Sequence, residues 1–252
     1  MIPFFRKIRK TLADDNKPIK YLRYAIGEIV LVVFGILIAL QINNWHKSNE
    51  KNELKSVYLE RLINDIKQDT TNIAFVRSEI ELNQNVIKTL VTNINKDYDL
   101  EKTDKLFHNY FERGWIISEF VPTKNTYTDL SQTGNMNIFN NPDLIDEIIQ
   151  YYSWMTQVEN SNNVNKSWIT PIDQEVAKET AAFELDPATK ELFLHKNKED
   201  ALRNLNINQE LIERNAAGHY WINQSLSSNL LEINTLCTYL LQSLEKEYQL
   251  TN

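Results

Sequence analysis

The groups able to do chemistry in this 252-residue chain are four histidines, one cysteine and 34 carboxylates. His46, His108, His195 and His219 show neither a His-Glu-x-x-His nor a His-x-x-x-His spacing, the pattern that puts two imidazoles on one helix face for zinc. No histidine follows a glutamate by three residues, so the paired motif of a di-iron bundle is missing. A single cysteine, Cys237, excludes an intrachain disulfide and any cysteine-based metal cage. The five glycines, at 27, 35, 114, 134 and 218, are not spaced for a phosphate-cradling loop. Carboxylate pairs such as Glu245 and Glu247 read as solvated helix faces. His219 reads as a packed, hydrogen-bonded core histidine, and Cys237 as a small buried residue. No catalytic constellation, metal or cofactor is expected, and the chain does not read as an enzyme.

Two polar stretches remain as places where a ligand would find hydrogen bonds. Residues 126–142 combine Tyr127, Asp129, Gly134 and Asn135 with further Asn and Thr side chains between two expected helices. Such a connection shapes a binding region or caps helices and closes a bundle. Residues 159–166, rich in Asn and Ser, interrupt an otherwise apolar helix and line a cavity, mark a kink or face solvent.

The elements that must position these groups are helices. Average usage at this length gives about 18 Gly and about 13 Pro, against 5 and 6 here. That scarcity leaves too few tight turns for a sandwich, barrel or propeller. The net charge of −7 hides two opposite regions. Residues 1–23 hold seven basic against two acidic groups, a net of +5, and the remainder is acidic. A chain with so short a basic cluster is a poor nucleic-acid binder. Residues 24–45 then carry one charge, Glu28, in an apolar run. About 20 helical residues at roughly 1.5 Å each match a hydrocarbon core of about 30 Å. Tyr21 and Tyr24 at one end and Trp45 at the other suit the headgroup level. The run is longer than a signal-peptide core and lacks a small-x-small cleavage site, so it reads as an uncleaved transmembrane helix. The basic flank places residues 1–23 in the cytoplasm and 46–252 across the membrane. Phe5, Ile8 and Leu12 share a face of a basic segment over 2–13, the pattern of a short interfacial helix. Within the span, Glu28, Gly35 and Ala39 fall on one stripe, which reads as a self-association face, as an ion-coupled site, or as an incidental pattern in which Glu28, one turn inside the boundary, reaches water or is protonated.

Beyond Trp45 the spacing predicts a long helix. Leu59, Ile66, Ile73, Ile80, Ile87 and Ile94 recur at intervals of seven, with Leu62, Val76 and Leu90 between them and Asp69 and Asn83 breaking the pattern. A 3.5-residue period demands a helical partner, within the chain or across chains. A helix over about 103–118 should follow, ended by Pro122, then an irregular connection with a short helix near 126–132. Asn141-Pro142 predicts a capped helix start. Thr170-Pro171 and Asp186-Pro187 repeat that signal for two shorter helices. The last helix, about 207–248, has a seam through Ile212, Ala216, His219, Asn223, Leu226, Leu230, Ile233, Cys237, Leu240 and Leu244. The expected architecture is all-α: a transmembrane helix continuing into an antiparallel, four-helix-type periplasmic bundle, residues 46–252, with two long helices and shorter ones between.

Residues 8–45 resemble the N-terminus of a large bacterial family of small membrane proteins, a domain of unknown function. The likeness is strong over 1–60, and residues 127–152, with Asp129, Leu130, Gly134, Tyr151 and Tyr152, are more loosely similar. The resemblance implies a membrane anchor and a Gram-negative inner membrane, and carries over no catalytic or ligand residue. The expected partners are the lipid bilayer and either a second copy or another membrane or periplasmic protein. The function expected is a protein-interaction, scaffold or accessory subunit. The alternative is a periplasmic small-ligand sensor domain working through a separate partner.

Overall fold

The structure, a computed structural model, describes residues 18–94 and 99–251. The interfacial helix expected over 2–13 and the side chains of Tyr21 and Tyr24 lie outside the described residues. All regular structure among the described residues is helical. The elements are α1 (Pro18–Asn93), α2 (Leu100–Asn109), a π-helical turn (Tyr110–Gly114), α3 (Asn125–Thr133), a 3-10 turn (Asn135–Phe139), α4 (Pro142–Glu179), α5 (Ala182–Leu185), a second 3-10 turn (Lys190–Phe193), α6 (Lys198–Ile207) and α7 (Gln209–Thr251).

The chain divides into two units, Met1–Lys55 and Ser56–Asn252. In the first, the described residues are helical, and an 18-residue window with mean hydropathy 2.5 has none of its residues buried inside the protein. Leu31, Phe34 and Leu37 are all more than half exposed. Apolar side chains left this open around a whole helix find their low-energy environment in hydrocarbon.

In the second unit the heptad residues face inward. Leu59, Ile66, Ile73, Ile80, Ile87 and Ile94 are all buried, as are all ten named seam positions of α7. The two helices run antiparallel, with Lys67 paired to Glu245 at 3.0 Å and Gln84 bonded to Gln224 at 3.0 Å. The helix α4 is the third long element and also lies antiparallel to α7. Asn141 bonds Glu247 at one end, and Asn165 bonds Ser225 further along. Gly218 lets α4 come close, because a Cβ there would run into Ile169.

Three expectations are corrected. The helix expected over 103–118 becomes regular α-helix only to Asn109, then a π turn. Gly114 permits that turn, since a Cβ there would meet Tyr110 Cε2 at 2.9 Å and Ile87 Cγ1 at 3.3 Å. Thr170-Pro171 starts no helix: Pro171 sits inside α4, exposed, while Ile169 and Val176 on either side are buried against the core. Their burial outweighs the lost backbone bond. Asp186-Pro187 likewise starts none. Asp186 closes α5, and its Oδ1 accepts from the Ala188 N–H at 2.8 Å. Asn141, by contrast, caps α4 as predicted, accepting from the Leu144 N–H at 3.3 Å.

Candidate functional site

Two clusters of buried polar side chains interrupt the apolar seams. The first is built on the residues that broke the heptads of α1. Residues 116–124 form no helix, yet Ser118, Phe120 and Pro122 are buried. A buried irregular segment must satisfy its backbone groups through side chains. Asp69 accepts from the Thr123 N–H at 2.8 Å, and Asn223 accepts from the Ser118 N–H while donating to the Ile116 carbonyl, both at 3.0 Å. Tyr152 donates to the Thr123 carbonyl at 3.3 Å. The second Asp69 oxygen accepts from the Tyr151 hydroxyl at 2.8 Å, which also contacts Cys237 Sγ at 3.4 Å. Burial raises the Asp69 carboxyl above its ordinary 3.8, against the opposing pull of the Thr123 and Tyr151 bonds. Burial also pushes the Cys237 thiol up, which keeps it protonated and unreactive.

The second cluster is centred on α7, where Asn215 and His219 stand one turn apart and are both fully buried. Asp173 of α4 receives both, His219 Nε2 at 2.8 Å and Asn215 Nδ2 at 2.6 Å, each on Oδ1. Asn215 Oδ1 in turn accepts from the Tyr110 hydroxyl at 2.5 Å, and burial holds that phenol well above its usual range. The π turn delivers both Tyr110 and Trp115, whose ring lies 5.9 Å from the imidazole. His219 Nδ1 is buried with no hydrogen-bond partner among the described residues. An imidazole oriented by a carboxylate is two-thirds of a nucleophile-activating triad, but no hydroxyl or thiol is bonded to that free nitrogen. Asp173 also lines a cavity of about 370 Å³ with Phe111, Trp115, Ile116, Phe183 and Asp186 among its walls.

The residues singled out from sequence are placed as follows. Glu28 is half-buried, Gly35 and Ala39 are exposed, and a Cβ on Gly35 would meet nothing within 4 Å. Tyr127 stacks on Tyr152 at 4.2 Å, Asp129 pairs with Arg61 at 2.9 Å, and Asn135 donates to the Tyr58 hydroxyl at 3.2 Å. Gly134 closes α3 at φ 71°, the left-handed conformation that favours glycine. Tyr127, Asp129 and Asn135 thus hold α3 and the turn after it against α1 and α4. The polar stretch 159–166 continues α4 without a break, and Lys124–Glu159 and Lys166–Glu119 pair it with the irregular segment. His219 is buried and hydrogen-bonded, as its seam position predicts. Sequence reasoning missed Asp173, Asn215, Tyr110 and Trp115. The available signal was the recurrence of polar residues at one-turn spacing along an apolar seam, at 215, 219 and 223.

Residues 28–166 match a family of unknown function, DUF6090. The chain belongs to that family. No curated protein and no solved structure matches it. The DUF6090 region contains Asp69, Thr123 and Tyr151 of the first cluster, but ends before Asp173, Asn215 and His219 of the second.

Proposed function

We propose that this DUF6090 protein is a single-span inner-membrane protein with a cytoplasmic N-terminus. Its four-helix-type periplasmic domain serves as a protein-interaction, scaffold or accessory subunit rather than an enzyme. The observation that carries the reading is the helical window of mean hydropathy 2.5 that the protein leaves wholly uncovered, next to a flank of net charge +5. Exposed aromatics on the second unit, Phe75, Trp168, Trp221 and Tyr239, are of the residue types that anchor protein interfaces. Self-association runs through the stripe of Glu28, Gly35 and Ala39, where small residues let helix backbones approach. Light scattering of the full chain in a mild detergent tests this. The reading expects a dimer or larger that Gly35→Leu reduces to monomer. A wild type that is monomeric with no co-purifying partner contradicts it.

A second reading, a small-ligand sensor acting through a separate partner, is favoured by the cavity of about 370 Å³ beside Asp173. Its size lies at the lower end of small-molecule sites.

A further inference from the structure

The cavity beside Asp173 has walls that select for charge. Three aromatic side chains, Phe111, Trp115 and Phe183, and two carboxylates, Asp173 and Asp186, line it, and no lysine, arginine or histidine is among the lining residues. Among the described residues each carboxylate is held by one oxygen only. His219 and Asn215 both bond Asp173 Oδ1, and the Ala188 N–H bonds Asp186 Oδ1, so Oδ2 of each keeps its lone pairs. The side chain of Asp173 is 22% exposed, so the carboxylate is neither solvated as at a surface nor sealed. Phe183 and Ile116 remain 50% and 46% exposed, apolar area that a ligand would cover.

We propose that this cavity binds a small organic cation, an amine or quaternary ammonium with an apolar body. The proposal rests on the small-ligand reading above and adds the ligand class. A cation meets the negative faces of aromatic rings and the carboxylates together, and the partly desolvated setting strengthens both attractions. The state of His219 does not reverse the preference. Asp173 and Asp186 outweigh a single imidazole charge, so the lining together with His219 stays net negative in either state. The burial of Asn215 and His219 holds the Asp173 carboxylate in place before a ligand arrives, which lowers the ordering cost of binding.

The test uses the full chain in an uncharged detergent with three probes of similar size: benzyltrimethylammonium, benzyl alcohol and phenylacetate. Calorimetry gives the affinity. The fluorine resonance of 5-fluorotryptophan at position 115, assigned through Trp115→Phe, reports whether the probe sits in this cavity. The expected result is that the cation shifts the Trp115 resonance and binds at least about tenfold more tightly than either other probe. Asp186→Asn, on a half-exposed turn outside the buried network, should weaken the cation about tenfold and leave benzyl alcohol unchanged. Asp173→Asn should do the same where its helicity matches wild type. Equal or tighter binding of benzyl alcohol or phenylacetate at Trp115 overturns the cation assignment while leaving a small-ligand site standing. No shift at Trp115 with any probe overturns both.

Discussion

Asp69 and Asp173 are each set into a helix whose neighbours are apolar, and each is held by hydrogen bonds from other elements, yet their oxygens are engaged differently. Asp69 is fully buried, and its two oxygens take a backbone N–H from Thr123 and the Tyr151 hydroxyl. Its whole bonding capacity toward the core closes a gap left by an irregular segment. Asp173 gives one oxygen to His219 and Asn215 and stands partly exposed at the wall of a cavity. The lesson is that a carboxylate in a seam is structural when both of its oxygens are taken up by groups of its own fold. It is open to a ligand, as proposed for Asp173, when fixed side chains hold it by one side and leave the other at a cavity wall. The family boundary runs the same way. The Asp69 arrangement falls within the DUF6090 match apart from Cys237, whereas Asp173 and its α7 partners fall beyond it.

The comparison breaks first at Asp69. Asp69→Ala strands the part-buried Thr123 N–H and takes one partner from the buried Tyr151 hydroxyl, so urea denaturation followed by helicity should show a loss of about 3 kcal/mol. A loss below about 1 kcal/mol would mean that water or a neighbour replaces the carboxylate and that the segment is not pinned there. Asp173→Ala should lose less, about 1–2 kcal/mol, because the adjoining cavity admits water to the orphaned donors. Equal losses for the two would erase the distinction between a sealed and an open carboxylate.

The pH dependence sharpens the same contrast. Because burial raises the folded-state value at Asp69 above 3.8, the native chain keeps this proton to higher pH than the unfolded chain does. The stabilisation is complete below 3.8 and is lost as pH rises through the raised value. Wild type should therefore lose stability relative to Asp69→Asn as pH climbs above 3.8, measured as the difference in urea midpoints. A constant difference across that range contradicts the assignment. At the small end, Asp129 offers a surface carboxylate for reference. Its pair with Arg61 is more than a third exposed on both sides, and Arg61→Met should cost about 0.5 kcal/mol or less.

Much of the fold was legible because it rests on periodicity. The seven-residue recurrence from Leu59 to Ile94 and the alternating steps from Ile212 to Leu244 are burial patterns written directly in residue type. Asp69 and Asn83 were visible as exceptions, but their purpose was not. That purpose depends on residues 116–124 passing through the core, a long-range event with no local signature. The π turn hinges on the close approach of Gly114 to Tyr110 and Ile87, and Ile87 is remote in sequence from both. Pro171 misled because its local preference is to open a helix, while the packing of Ile169 beside Gly218 carries α4 through it. The candidate cavity was the least legible feature. Asp173, Trp115 and Asp186 come from three separate segments, and only His219, on its seam, pointed toward them.

The central claim is that the uncovered apolar helix lodges in the bilayer with the acidic helical domain on the far side. Gln249 is exposed near the C-terminus, so Gln249→Cys, expressed in bacteria whose outer membrane alone is permeabilised, offers the direct measurement with a membrane-impermeant maleimide. The account predicts labelling with the inner membrane intact, on a chain that stays in the membrane pellet after alkaline carbonate. Labelling only after inner-membrane lysis, or release of the chain into the soluble fraction, contradicts it.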